Sequence, residues 1–505
     1  MILLRKYHKW IGLIAGIFFI LYSISGFILN HRELISTIDI SRSLLPKNYE
    51  FKNWNLSGFK TTEKISNDSI LLYGNAGIWL TDRNLTYFKD FNSGFQQGID
   101  NNKICVVKYI KKYKKLFSGT LFGFYQYNFR KKTWEEIELP VKEKRVVDIF
   151  FLNDTLYVMT RSHLLFSTNF KEFKKINLPP PENYDNKVGL FKTLWVIHSG
   201  EIYGKIGKII VDVIGFILIF LTISGTIIFF NKNKLKNKNI KKQKKQKLKK
   251  SILWNLKWHN KIGWTTSILL FITVSTGIFL RPPFLIPIAN KKVNKIPFTE
   301  LDNNNPWFDN LRRIYYDKQT NKFILFTSEN VYYNENLFKT NFKEFKNKPI
   351  FSVMGVTYFD RYDSLNFIIG SFEGLYLWNP TNGLIFDHID KKKYIPPKNK
   401  SRPIGKYLVS GYTKDLLGEE FVFEYNKGVF SITGNKTFPK LPQEIKNFYR
   451  ASLWFYALEI HTGRIFQFIL GDFYILIVPL VGLSALFLII SGVWIWFSVY
   501  RKRSI

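Results

Sequence analysis

His8-Lys9-Trp10-Ile11-Gly12 opens an apolar run that closes at Ser25-Gly26, and the pattern returns as His259-Asn260-Lys261-Ile262-Gly263, closing at Thr276-Gly277. A second element also occurs twice. It reads Ile197-His198-Ser199-Gly200-Glu201-Ile202-Tyr203 in one place and Ile460-His461-Thr462-Gly463-Arg464-Ile465-Phe466 in the other. Each copy feeds a further apolar run, ending at Ser224-Gly225 and Ser491-Gly492. The chain is a duplicated helix pair with histidines at membrane-flanking positions. An ionisable side chain beside hydrocarbon is costly, which marks these histidines as functional candidates.

The runs Trp10–Leu29, Ile209–Phe230, Thr265–Leu280 with its flanks, and Phe473–Phe497 are nearly free of charge. Each approaches the roughly 20 residues that cross a hydrocarbon core of ~30 Å. The first is too long for the apolar core of a signal peptide, lacks a small-x-small cleavage site and recurs at 259–281, so an uncleaved anchor is expected. The expected fold is a membrane α-helical bundle of four transmembrane helices in two duplicated pairs, plus an outer all-β domain.

Lys and Arg give the orientation. Arg5, Lys6 and Lys9 precede the first run; Lys241, Lys242, Lys244, Lys245, Lys247, Lys249 and Lys250 crowd the segment before the third; Arg501-Lys502-Arg503 follows the fourth. All three groups fall on one side, the cytoplasmic one, leaving 33–193 and 282–456 outside. The expected division is a first transmembrane helix (1–32), an outer β-rich segment (33–193), an outer histidine element with the second transmembrane helix (194–231), a cytoplasmic lysine-rich loop (232–257), a third transmembrane helix (258–281), a second outer β-rich segment (282–452), and a second histidine element with the fourth helix and a basic tail (453–505). Net charge is +36. Its densest run adjoins the helices, so topogenesis and anionic lipid explain it better than nucleic acid. Cys105 is the single cysteine, which excludes a disulfide within the chain and a cysteine-built metal cluster.

The outer segments are rich in Tyr, Phe and Trp and alternate in short runs, a strand signal. Hairpins are expected at 69–80, 115–127, 155–166, 323–333, 367–377 and 421–431, at spacings near those of propeller blades. Three hairpins per segment suggest a six-bladed ring closed by both segments, which would remove the open edges of a half propeller. Two separate small β-rich domains are the alternative.

Of seven histidines, His163 and His388 read as strand or surface residues. The other five flank helices. His8 and His259 share the cytoplasmic level, and His198 and His461 the outer one. His31 is also outer and has no counterpart, because Pro282 stands at its place. At ~1.5 Å per residue, His8 and His31 are about 35 Å apart and cannot share one metal. Two inner and three outer imidazoles suit two stacked b-type haems, since paired imidazoles give a six-coordinate iron fit for electron transfer. Glycines near the ligands, among them Gly12, Gly16, Gly26, Gly225, Gly263, Gly277 and Gly492, would let helices and a flat macrocycle approach. Ordinary small-residue helix packing accounts for any single one equally well. The tryptophans at span ends, such as Trp10, Trp254 and Trp494, read as an interfacial belt.

On the His-x-Trp-x-Gly start at His8–Gly12, the Ser-Gly-x-x-Leu close of that run, and the His-(Ser/Thr)-Gly elements at His198 and His461, the chain resembles the PepSY-associated transmembrane helix family of bacterial membrane proteins. The resemblance covers the four helices. It implies a haem-containing reductase of ferric siderophores that passes electrons across the bacterial inner membrane. The family often carries a small α/β PepSY domain in its outer segments; here hairpin repeats stand in its place, which leaves the substrate open.

The expectation is therefore a conduit with an inner haem b on His8 and His259 and an outer haem b on His198 and His461, with His31 as an alternative outer ligand. The acceptor would be a ferric chelate. No Gly-rich dinucleotide fingerprint occurs, so the donor would be membrane quinol or a separate cytosolic reductase. The alternatives are a non-catalytic membrane-anchored β-propeller receptor or assembly protein, and a metal or haem transporter. Asp212 and Asp472, expected at the outer interface, give the transporter little support.

Overall fold

The computed structural model describes residues 1–237, 239–352, 354–395 and 405–500. It forms two compact units, one from Met1–Ile35, Asn186–Asn303 and the chain from Leu453 on, the other from Ser36–Asp185 and Asn304–Ser452. Residues 186–193 and 282–303, grouped above with the outer segments, fall in the first unit. The basic end Arg501-Lys502-Arg503 lies outside the described residues.

The first unit is helical. Three helical stretches, Ile2–Asn30, Glu201–Lys234 and Arg464–Tyr500, are long and apolar enough to cross a membrane. A fourth exists only if Lys242–Thr265 and Ser267–Phe279 count together, and these are bent by 66° at their junction. The third helix expected over 258–281 thus falls in two helices that meet at a bend. The cause is a run of hydroxyls: Thr265 Oγ1 and Thr266 Oγ1 donate to the Ile262 carbonyl, and Ser267 Oγ donates to Trp264. Such bonds compete with the backbone ladder and bend helices. Large apolar side chains point outward, with Ile206 at 71% exposure and Ile268 at 72%. A soluble bundle buries such residues, whereas lipid accepts them.

Small residues let these helices meet. A Cβ on Gly16 would lie 2.9 Å from Thr222, and one on Gly482 would lie 2.4 Å from Ile278. Ala15, Phe19 and Ala485 form the centre, packed by Leu218 and Val274 from two other helices and by Val481 and Leu488 from the helix of Ala485. Two short helices, Leu190–Ser199 and Leu453–His461, each end in a glycine with positive φ, Gly200 at 77° and Gly463 at 74°. That left-handed cap suits glycine, ends the helix, and turns the chain into the next long one.

The second unit is all β. Every expected hairpin forms: Ile70–Gly74 with Gly77–Thr81, Lys115–Thr120 with Phe124–Asn128, Thr155–Thr160 with Leu164–Ser167, Lys322–Thr327 with Val331–Asn334, Phe367–Ser371 with Gly374–Trp378, and Phe421–Glu424 with Gly428–Ser431. Flanking strands extend them to antiparallel sheets of three to five strands. Ile70–Gly74 is buried throughout because both faces are covered. Its alternation sends Leu71 and Tyr73 toward the second sheet at Ile104 and Leu116, and Ile70 and Leu72 toward the sixth at Phe421 and Phe423. The remaining contacts run in chain order, from Phe117 to Val146, Leu164 to Phe323, Phe326 to Phe367, and Ile368 to Val422. Both outer segments thus share one β unit, not two separate domains.

Candidate functional site

The short helix Leu453–His461 ends on its histidine because Gly463 caps it, and that end lies against the first long helix. There His461 Nδ1 lies 3.0 Å from Ser25 Oγ and 3.1 Å from the Tyr22 carbonyl. The other copy repeats the arrangement: His198, ending Leu190–Ser199, has Nδ1 2.8 Å from the Thr273 carbonyl. The histidines that begin the repeat behave alike. His8 Nδ1 lies 2.8 Å from Ser491 Oγ, and His259 Nδ1 lies 2.9 Å from Ser224 Oγ. Each of the four is thus received by a residue in or just before the (Ser/Thr)-Gly pair that closes another run.

These partners fix the tautomer. A carbonyl only accepts, so Nδ1 of His198 and His461 carries the proton. The serine hydroxyls are committed as donors to their own helices, Ser25 to Leu21, Ser224 to Leu221 and Ser491 to Leu488. They are left as acceptors for Nδ1–H. Nε2 then keeps its lone pair in all four rings, the form and orientation that a metal-binding imidazole needs.

The paired glycines make room for the rings. A Cβ would fall 3.3 Å from His461 Cε1 on Gly26, 2.7 Å from His198 on Gly277, 3.4 Å from His259 on Gly225 and 3.3 Å from His8 on Gly492. Gly12, Gly16 and Gly263 instead meet Leu488, Thr222 and Leu221, which is helix packing.

The ring centroids of His198 and His461 lie 6.0 Å apart, with the planes inclined at 50°. Imidazole nitrogen binds a first-row metal at about 2 Å, so two imidazoles on opposite sides of one ion have centroids about 6 Å apart. His8 and His259 are likewise close enough to interact electrostatically. Among the described residues no group of three or more His, Cys, Asp or Glu could hold a bare ion. Two paired imidazoles are a donor set that fits a macrocycle-bound iron, whose other coordination positions the macrocycle fills. His8 and Ser25 stand 17 residues apart on one helix, which separates the two histidine levels by about 26 Å.

His31 is placed differently. Its Nε2 lies 2.7 Å from Asp212 Oδ2, and Asn30 donates to the other oxygen at 3.1 Å. Asp212, buried, therefore has a partner that explains it, and His31 is committed away from the His198/His461 pair. His388 bonds Glu420 in the β unit. The serine partners are what the sequence reading missed: the (Ser/Thr)-Gly pairs served there only to mark span ends, although four such pairs for four repeated histidines was the available signal.

A family model described as the PepSY-associated TM region matches residues 178–499. No curated protein matches. Among solved structures, the extracellular domain of the Bacteroides thetaiotaomicron system BT4673 is similar at TM-score 0.36 and 13% identity, covering 78% of this chain and 34% of that one. A structural-genomics protein of unknown function from the same organism gives TM-score 0.36 and 10% identity, covering 78% of this chain and 74% of that one. The chain thus spans about a third of the length of the first of these.

Proposed function

The chain belongs to the PepSY-associated transmembrane family, and from that premise we propose that it carries electrons across a membrane through two b-type haems, one between His8 and His259 and one between His198 and His461. The observation that carries this reading is the 6.0 Å separation of the His198 and His461 rings, with Nε2 left as a lone pair in each. When bound, haem supplies a one-electron Fe(III)/Fe(II) couple. The chain's own part is to hold each imidazole in one tautomer, to leave room for it at a glycine, and to keep the two levels fixed along one helix. Rigid, doubly imidazole-bound sites suit electron transfer, because no ligand need be gained or lost.

On this reading the bent pair is the fourth span, and both termini face the cytoplasm of a bacterial inner membrane. The lysine-rich start of Lys242–Thr265 meets anionic headgroups on that side. The six sheets are the blades of one propeller on the periplasmic side, where a ferric chelate such as a siderophore takes up one electron. Quinol or a separate cytosolic reductase gives it up. The cyclic order of the inter-sheet cores supports the propeller, and the net positive charge suits an anionic chelate.

Optical spectra of the purified full-length protein, oxidised and dithionite-reduced, test the proposal. A Soret band that shifts on reduction, losing about half its intensity in a His8→Ala, His259→Ala variant, is expected for two equivalent imidazole-bound sites. A colourless protein from haem-sufficient cells overturns it and leaves a membrane-anchored β-domain receptor as the reading.

A further inference from the structure

Two arginines flank the His198/His461 pair in the chain. Arg281 follows, by one helical turn, the Gly277 that seats His198; Arg464 comes three residues after His461. Arg281 is half-buried and near enough to Arg464, Glu459, Tyr474 and Tyr22 to interact electrostatically. His461 is within the same reach of Arg281, and its ring is 5.6 Å from that of Tyr22.

The charges in this cluster do not balance. Arg464 Nη2 meets Glu459 Oε1 at 2.5 Å, so this carboxylate is shared by two guanidinium groups. Among the described residues Arg281 Nη2 donates to the Thr462 carbonyl, at 3.1 Å. The Nε atoms of both arginines are buried without a hydrogen-bond partner among the described residues, as is the Tyr22 hydroxyl. A guanidinium stays charged at any accessible pH, and a buried cation without a counter-ion is costly. Its planar donor fork matches a carboxylate. The duplication sharpens the point. The places corresponding to Arg281 and Arg464 in the other copy hold Asn30 and Glu201, so the excess cation is not part of the repeat.

We infer that Arg281 and Arg464 are a carboxylate anchor, positioned to hold the propionate groups of the haem between His198 and His461 and so to fix its rotation about the iron–imidazole axis. This rests on the haem reading above.

The test is a potentiometric titration of the full-length protein with haem content, comparing wild type, Arg281→Gln/Arg464→Gln and Arg281→Lys/Arg464→Lys. The component belonging to this pair is identified as the one missing in His461→Ala. In the glutamine variant that component is expected to fall in occupancy and shift to lower midpoint potential, because a nearby cation favours the reduced iron. The other component should stay unchanged, which reports that the bundle is folded, and the lysine variant should recover most of the shift. Two haems at wild-type midpoints in the glutamine variant overturn the anchor while leaving the haem reading intact, and loss of both components together also counts against it. A wild type without haem overturns both.

Discussion

Ser25 accepts a hydrogen bond from His461 Nδ1 across 3.0 Å, joining residues 436 positions apart. The same hydroxyl is the donor to Leu21, so it cannot also donate to the ring. The Tyr22 carbonyl backs it up at 3.1 Å, whereas among the described hydrogen bonds His8 Nδ1 has Ser491 Oγ alone. Removing a partner that orients a metal-bound histidine typically costs 10–100-fold in affinity, about tenfold at least. Ser491→Ala should therefore weaken haem retention by about tenfold or more, and Ser25→Ala by clearly less. Haem-to-protein ratio after dilution or competition with a haem scavenger measures both; equal losses would refute the ranking.

The four seating glycines should differ in a stated order. A Cβ at Gly277 would stand 2.7 Å from His198 Cε1, closer than real Cβ atoms approach, and 3.0 Å from Nδ1, while at Gly225 the nearest atom is 3.4 Å away. Overfilling a packed site costs about 1–3 kcal/mol. Gly277→Ala is expected to lower the thermal midpoint and perturb the spectrum, and Gly225→Ala to be nearly silent. A larger effect at Gly225 would mean that the rings are seated otherwise.

Much of this was legible in the sequence, and the limits have physical causes. The duplicated histidines pointed to His198 and His461 as residues that would meet, since a repeat implies equivalent places on equivalent helices. All six hairpins followed from period-two alternation around Gly or polar turns, as in Leu71-Leu72-Tyr73 before Gly77-Ile78-Trp79. The third span was less legible. Its hydropathy pointed to a continuous helix, and hydropathy does not register that Thr265, Thr266 and Ser267 turn their hydroxyls back onto Ile262 and Trp264. The role of Ser25, Ser224 and Ser491 depended on tertiary pairing between separate runs, 436 residues apart for Ser25, 35 for Ser224 and 483 for Ser491. The partner of His31, Asp212, lies 181 residues away, and no local pattern pointed to it.

That placement separates His31 from the other flanking histidines by experiment. His31→Ala should leave the reduced-minus-oxidised spectrum at wild-type intensity, because its Nε2 is held by Asp212 at 2.7 Å. His461→Ala should remove one component. Loss of a haem component in His31→Ala would instead mean that His31 leaves Asp212 to serve as a ligand.

In the β unit, the clearest electrostatic tie is the Asp317–Arg361 pair between the fourth and fifth sheets. Arg361 Nε and Nη2 donate to the two carboxylate oxygens at 3.0 and 2.5 Å, and Thr320 adds a third donor. Burial pushes the Asp317 carboxyl up, but these bonds outweigh it and hold the group below its ordinary value. Replacing one partner of such a buried pair leaves the other uncompensated, at about 3 kcal/mol. Asp317→Asn should therefore destabilise the β unit by about that amount at neutral pH. The sign with pH follows from linkage. A carboxyl whose folded value is depressed contributes stability above its unfolded value near ~3.9, and loses it as pH falls through the folded value. The gap between wild type and Asp317→Asn should thus be constant from neutral pH down to about 4 and close only below it. Denaturant unfolding of the full-length protein, followed by near-ultraviolet circular dichroism at several pH values, measures the gap. A gap that is absent at neutral pH, or that closes on raising the pH, would show that the pair does not hold these sheets together.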